Sequence, residues 1–339
     1  MIPTREQRDA IACIEQRTPD WFRARLGCIT GSCVHFVMKK SEAEKAYDKA
    51  IAVGPIDVES KSEFNTRINT LKKSDPALYE QLKAQGPLKE TKAMFTERLE
   101  TLKSKIDDNP FPDTTMAYLY QLASERNLRP AFVENDYLFE QYQMRTAFSS
   151  KSIRWGEEAE IAAREQYEKE TKREVAEVGF TRHLSVDWYG DSPDGLVVDG
   201  ETGKPNGGLE IKCPKPDTWI RYRHEFRKAS RLHEKYVQEY LESHPSIDSD
   251  AFSDCMLPYE QRLDYLNAET LKRIKPEYYW QCQSHCECNE VDWCDFIFYD
   301  MMQKGEMVII RIYRDQAAID LMLERIRMAN DVIENDILA

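Results

Sequence analysis

DSPDGLVVDGETGKPNGGLEIKCP, residues 191–214, is the stretch on which the fold reading turns. Gly195 to Val198 and Leu209 to Lys212 read as two short strands, and the Asp, Gly and Pro residues between them are turn formers. Alternate side chains of a strand share a face, so Glu210 and Lys212 project to one side while Ile211 turns into the core. A carboxylate and an ammonium then face one cleft. If Asp194 ends the preceding strand beside them, two carboxylates and the main-chain carbonyl of Ile211 offer hard oxygen ligands suited to Mg²⁺ or Mn²⁺. Lys212 is then placed to orient or deprotonate an attacking water. The plainer alternative is a hairpin turn at Asp194-Gly195 with Glu210 and Lys212 on a solvated face. Pro193, the Gly207-Gly208 pair and Cys213-Pro214 fall where a short hairpin needs them.

Upstream, a helix is expected from about Ile153 to Thr171, and it carries Glu160 at the edge of the arc formed by Ala159, Ala162 and Ala163. A further β-rich piece follows at Val175 to His183. Nearer the start, Trp21 and Phe22 precede Arg25-Leu-Gly and Ile-Thr-Gly-Ser32, and Ser32 is expected to cap a short helix from Val34 to Met38. Between them, residues 41–108 are rich in Lys, Glu, Asp and Gln with widely spaced apolar positions, the pattern of exposed helices in an insertion. A helix at Thr115 to Asn127 comes next.

Downstream, Pro214 to Lys275 reads as mainly helical with a loop around His244 to Pro258. A helix near Glu277 to His285, strands near Trp293 to Tyr299 and Met307 to Tyr313, and a closing helix from Asp315 to about Asn335 complete an α/β layered pattern.

The chain has 339 residues, enough for a substantial core without disulfides. No apolar run approaches a membrane span, and the polar start MIPTREQRDA lacks the apolar core of a secretory signal, so a cytoplasmic location is expected. The nine cysteines are odd in number, which fits free thiols in a reducing compartment. A net charge of -13 argues at first against a nucleic-acid partner, yet Ile211 to Lys235 holds eight Lys or Arg against three acids. An acidic body with one basic stretch directs an anion to one place. Trp219, Tyr222, Phe226 and Tyr236 are interleaved there, either to stack on unpaired bases or to enter the core. Arg221, Arg223 and Arg227 lie closest to the Glu210 strand and are the candidate backbone contacts.

Trp21 with Arg25-Leu-Gly-Cys-Ile-Thr-Gly-Ser32, Trp155-Gly with Glu160, Ser192-Pro-Asp194-Gly, Glu210-Ile-Lys212-Cys-Pro and Gln281-Cys-Gln283 agree in order with a known family. Together these five motifs resemble the lambda-exonuclease or YqaJ-type viral recombinase family of PD-(D/E)XK nucleases. The resemblance implies an α/β restriction-endonuclease-like core, a mixed central sheet flanked by helices, within a single nuclease domain over 1–339. Residues 41–108 would be a charged helical insertion and 214–275 a basic helical one. It implies Mg²⁺-dependent 5′-to-3′ digestion of linear duplex DNA from its ends, with Mn²⁺ as a substitute, in phage-type recombination. A homotrimeric ring and a single-strand annealing protein are the partners it implies, with no membrane. Residue by residue, it gives metal binding to Glu160, Asp194 and Glu210, water activation to Lys212, and the terminal 5′-phosphate to Arg25, Ser32 and Ser192. Gln283 matches the glutamine at the edge of the site, with Gln281 its neighbour.

Cys282, Cys286, Cys288 and Cys294, with His285 among them, allow an iron-sulphur cluster or zinc, set against reduced thiols at a helix-to-strand junction. The spacing lacks the regular pairs of a zinc ribbon. Two rivals to the exonuclease stand: a restriction-type endonuclease, and a non-catalytic DNA-end binding protein.

Overall fold

Capping signals in the sequence start the first elements. Thr4 and Gln7 form a capping box for α1 (Arg5–Ala12), and Thr18 caps α2 (Pro19–Arg25), whose first residue is proline. The computed structural model describes residues 4–55, 61–86, 90–146, 151–243, 249–303 and 305–339. Strand β1 (Ile29–Thr30), a 3₁₀ turn at Gly31–Cys33 and helix α3 (Val34–Val37) follow. Ser32 lies inside that turn and caps neither short helix, which corrects the expectation drawn from its position before Val34. Its hydroxyl shares a hydrogen bond with that of Thr30 at 3.2 Å, a local competitor for the cap.

The chain divides into two compact units, Lys39–Met116 and Met1–Met38 with Ala117–Ala339. The smaller unit contains α4 (Glu42–Val53), α5 (Lys61–Ser74), α6 (Pro76–Gln85) and α7 (Lys92–Asp108). Ser41 and Glu44 box the start of α4, and Asp75 and Thr91 cap α6 and α7. Gly54 and Gly86, at φ 75° and 73°, end α4 and α6 in a backbone region that a side chain would strain. Ala50, Phe64 and Ile68 are among its few buried apolar side chains, as the charged composition requires.

Helix α8 (Asp113–Glu134) leads into the larger unit, followed by α9 (Asp136–Thr146) and α10 (Lys151–Thr171). Next come β2 (Glu174–Ala176), β3 (Thr181–Arg182), β4 (Tyr189–Asp191), β5 (Gly195–Val198) and β6 (Pro205–Lys212). Three helices, α11 (Pro216–Ser243), α12 (Ser249–Ile274) and α13 (Pro276–Cys288), separate β6 from β7 (Trp293–Asp300). Strand β8 (Glu306–Tyr313) and helix α14 (Gln316–Val332) close the unit. The loop expected at 244–258 is shorter than that, because α12 already runs from Ser249; residues 244–248 lie outside the described ones.

A small sheet has the order β1-β4-β3, and the main sheet the order β2-β5-β6-β7-β8. Within the main sheet β2, β5 and β6 are antiparallel, β6 and β7 are parallel, and β8 returns antiparallel. The parallel pair needs a long crossover, which α11 to α13 supply. Alternation along β6 sorts its side chains. Leu209 and Ile211 pack with Ala163 and Tyr167 of α10 on one face. On the other face Trp219, Tyr222 and Phe226 of α11 surround Phe298 at ring separations of 6.2, 5.8 and 5.6 Å. Those three aromatics are therefore core, not base-stacking platforms, since their spacing of three and four residues makes one buried stripe. Tyr236 is exposed, with the Arg262 guanidinium 3.8 Å above its ring. The result is a mixed sheet with helices on both faces, an α/β core as the order of elements predicts.

Candidate active site

Strand β5 pairs with β6 only as far as Gly195 opposite Leu209, so β6 outruns its partner by the residues that carry the chemistry. The Asp194 side chain continues the ladder where the strand stops. Its Oδ2 accepts the Ile211 amide at 2.6 Å, while its own amide donates to the Leu209 carbonyl at 3.0 Å. The local hairpin thus fixes Asp194 beside the main chain of Ile211, between Glu210 and Lys212.

Glu210 is fully buried. One of its oxygens accepts from Lys212, and the other, Oε2, faces His285 Nε2 at 2.6 Å. Burial alone would raise its pKa, but Lys212 and His285 overcome that and hold it below the ordinary carboxylate value. Burial works against the Lys212 ammonium too, and Glu210 and then Asp194 reverse it, so Lys212 is held protonated. In this arrangement it can orient a water or a phosphate oxygen and donate to it; accepting a proton from water would require it to be neutral. Its ammonium also lies 5.5 Å from the Tyr278 ring of α13.

Asp194 behaves oppositely. Burial, then the charges of Glu210 and Glu160, push its pKa up to about 7 against the pull of Lys212 and the Ile211 amide. An unfolded aspartate titrates near 3.9, so between about pH 4 and 7 the unfolded chain releases a proton that the folded one keeps. The associated stability is complete below the unfolded value and is lost as pH rises through the folded one. Asp194→Asn, which cannot ionise, should therefore gain on wild type by up to a few kcal/mol between pH 4 and pH 8 in metal-free urea unfolding, at about 1.4 kcal/mol per pKa unit. A gap that stays constant with pH would show that Asp194 is not the crowded acid.

Glu160 projects from α10 and is held by Arg17 at 2.6 Å and Arg164 at 3.5 Å. It is near enough to Asp194 to raise it, yet its carboxylate is drawn toward the two guanidiniums. Among the described residues no three His, Cys, Asp or Glu side chains converge closely enough to hold an ion in this arrangement. The donor set nonetheless suits a divalent cation: all oxygen, with one carboxyl forced toward neutrality by burial and its acidic neighbours.

Two of the candidate end-phosphate residues, Arg25 and Ser192, share one organiser. Trp21 lies 3.9 Å beneath the Arg25 guanidinium, and its indole N–H donates to Ser192 Oγ at 3.1 Å. Arg25 is half-buried, burial lowers its pKa, and it has no ion-pair partner among the described residues. It lines a cavity of about 690 Å³ with Phe22, Thr30, Cys33 and Tyr118, on a wall that includes none of Asp194, Glu210 and Lys212. Ser32 is exposed on the turn between Thr30 and Cys33. Arg221 and Arg227 are exposed on α11, whereas Arg223 pairs with Glu306 at 2.9 Å.

Gln283 is not brought to the carboxylates. Its amide donates to the Tyr313 carbonyl at 2.9 Å and accepts the Asp315 amide at 2.8 Å, tying α13 to the end of β8. At 100° per residue Gln281, Tyr278 and His285 share one face of α13 and Gln283 points away from it. Gln281, buried, is therefore the glutamine on the side of Lys212 and Glu210. His285 is the residue that reading the sequence missed, along with Asp191 as its second partner at 2.5 Å. The signal was present: a histidine four residues after Gln281, where a helix repeats its face.

Residues 124–242 match the YqaJ-like viral recombinase domain. The matched stretch includes Glu160, Asp194, Glu210 and Lys212, and leaves Arg25, Ser32, Gln281 and His285 outside it. No curated protein matches the chain. Two solved structures are similar to it, the alkaline exonuclease LHK-Exo from Laribacter hongkongensis and LHK-Exo in complex with dAMP. Both are 21% identical over 95% of each chain, with TM-scores of 0.48 and 0.49.

The described cysteines are free and largely buried. Burial raises Cys286, Cys288 and Cys294 above the ordinary thiol value and pushes Cys213 up to about 12.

Proposed function

We propose that the chain is a divalent-metal-dependent deoxyribonuclease that digests linear duplex DNA from its ends, 5′ to 3′. The observation that carries this reading is the grouping of Glu210 and Lys212 on one overrunning strand with Asp194 bonded to its main chain between them, an acid forced up to about 7 among oxygen donors. Glu160, Asp194, Glu210 and the Ile211 carbonyl would hold Mg²⁺, or Mn²⁺ in its place. When bound, such a cation neutralises charge on the phosphodiester and makes water a better nucleophile. Lys212, held protonated, orients the attacking water or donates to a phosphate oxygen.

The end pocket follows from charge and donors. Arg25 is a half-buried cation with no ion-pair partner among the described residues, and Ser192 accepts from Trp21 and so keeps its own hydroxyl proton to donate. A terminal 5′-phosphate needs that combination. Exposed Arg221 and Arg227 are candidates to track the duplex backbone. A homotrimeric ring and a single-strand annealing partner belong to the same proposal.

The test is Mg²⁺-dependent digestion of a 5′-phosphorylated linear duplex, run beside a 5′-hydroxyl duplex and a covalently closed circle. The phosphorylated duplex is expected to disappear fastest and the circle to survive. Arg25→Ala should slow the phosphorylated substrate to the rate of the hydroxyl one. Cutting of the circle would indicate an endonuclease instead, and binding of ends without cutting would indicate an end-binding protein.

A further inference from the structure

His285 is completely buried and sits between two carboxylates, Asp191 Oδ2 at 2.5 Å from Nδ1 and Glu210 Oε2 at 2.6 Å from Nε2. Asp191 is itself fixed on every side. It ends β4, accepts from Ser284 at 3.3 Å and from the Asn289 amide at 3.1 Å, and presses against Gly31. A Cβ at Gly31 would lie 1.8 Å from Asp191 Oδ1, so only glycine leaves room for the carboxylate. Tyr189 donates to or accepts from Ser284 at 2.7 Å and closes the group from the strand side. A buried acid with this many partners serves its neighbour rather than solvent.

We infer that His285, held in place by Asp191, is the positioning residue of Glu210, taking up Oε2 so that Oε1 alone is turned toward Lys212 and the cleft. This rests on the reading of Glu210 as a cation ligand. A free carboxylate on a strand rotates about its last bond and can offer either oxygen or both. One held from behind can offer only one, in a fixed direction. The chain runs from the small sheet through α13 to the main sheet, Asp191 to His285 to Glu210, and links elements far apart in sequence. Outer partners that orient a ligand are worth about 10- to 100-fold in metal affinity or activity.

The experiment is a Mn²⁺ titration of the metal-free full chain, followed by electron paramagnetic resonance of free Mn²⁺, for wild type, H285A, H285Q and D191N/H285Q. Steady-state cleavage of linear duplex accompanies it. H285A is expected to bind Mn²⁺ at least about tenfold more weakly, with kcat lowered and KM for DNA unchanged. In H285Q the new amide can donate to Glu210, but its carbonyl oxygen then faces the Asp191 carboxylate, oxygen against oxygen. The D191N change supplies an N–H donor at that place, and the Asn289 side chain, which donates to the same Asp191 oxygen at 3.1 Å, turns its amide oxygen to accept from it while the Asn289 main-chain amide keeps the His285 carbonyl paired. D191N/H285Q should therefore recover most of the affinity and kcat that H285Q loses, and this comparison stands even if H285A does not fold. Wild-type Mn²⁺ affinity in H285A, or no recovery in the pair, overturns the inference. Tight Mn²⁺ binding that depends on His285 without any cleavage would sink the nuclease reading alone; wild type that binds no Mn²⁺ sinks both.

Discussion

Lys212→Ala is expected to lower the rate of duplex digestion by at least about a hundredfold, the usual cost of removing one charge-stabilising donor from an active site. Lys212 contacts Glu210, stands 5.5 Å from the Tyr278 ring, and its side chain is 27% exposed, so it reaches the cleft with its charge intact. The fold should survive the change. Glu210 keeps its hydrogen bond to His285, and loss of the Lys212 contact costs about 1.5 to 3 kcal/mol, the range for a hydrogen bond to a charged group. Lys212→Arg keeps the charge but not the shape, and should restore little. Comparison of single-turnover cleavage with urea unfolding separates the two effects. A rate within a few-fold of wild type would remove Lys212 from the chemistry.

The largest loss of stability is expected at Trp219. It is completely buried, meets Phe298 edge-on at 6.2 Å, and carries the Arg223 guanidinium 5.1 Å from its ring. Trp219→Ala opens a cavity between α11 and β7 and should cost about 3 to 5 kcal/mol in urea unfolding. Trp219→Phe should cost much less. It keeps the aromatic contact and removes an indole N–H that has no hydrogen-bond partner among the described residues. At a temperature where Trp219→Ala is folded, cleavage per folded molecule should match wild type, because the side chain is core rather than a DNA platform. If Trp219→Ala instead weakened single-strand binding without loss of stability, the assignment of α11's aromatics to the core would be wrong.

Much of this molecule was legible because its signals are local. A hairpin is specified by alternation and turn residues, so residues 191–214 alone predict that Glu210 and Lys212 share a face and that Asp194 stands beside them. The order of helix, strands, crossover and strand is legible for the same reason, as is the helical character of 41–108, where Ser41, Asp75 and Thr91 announce helix starts.

What only the tertiary structure decided lies between elements distant in the chain. Whether Trp219, Tyr222 and Phe226 stack on bases or on Phe298 depends on which side of α11 meets β7, and an amphipathic pattern is the same in either case. Gln281 and Gln283 look equivalent in sequence, and the docking of α13 against β6 and β8 sends one toward Lys212 and ties the other to Tyr313 and Asp315. The Asp191–His285–Glu210 chain joins residues 94 and 75 positions apart. Periodicity assigns a residue to a face of its own helix or strand; the choice of what that face meets is made by packing, through contacts that no local pattern encodes.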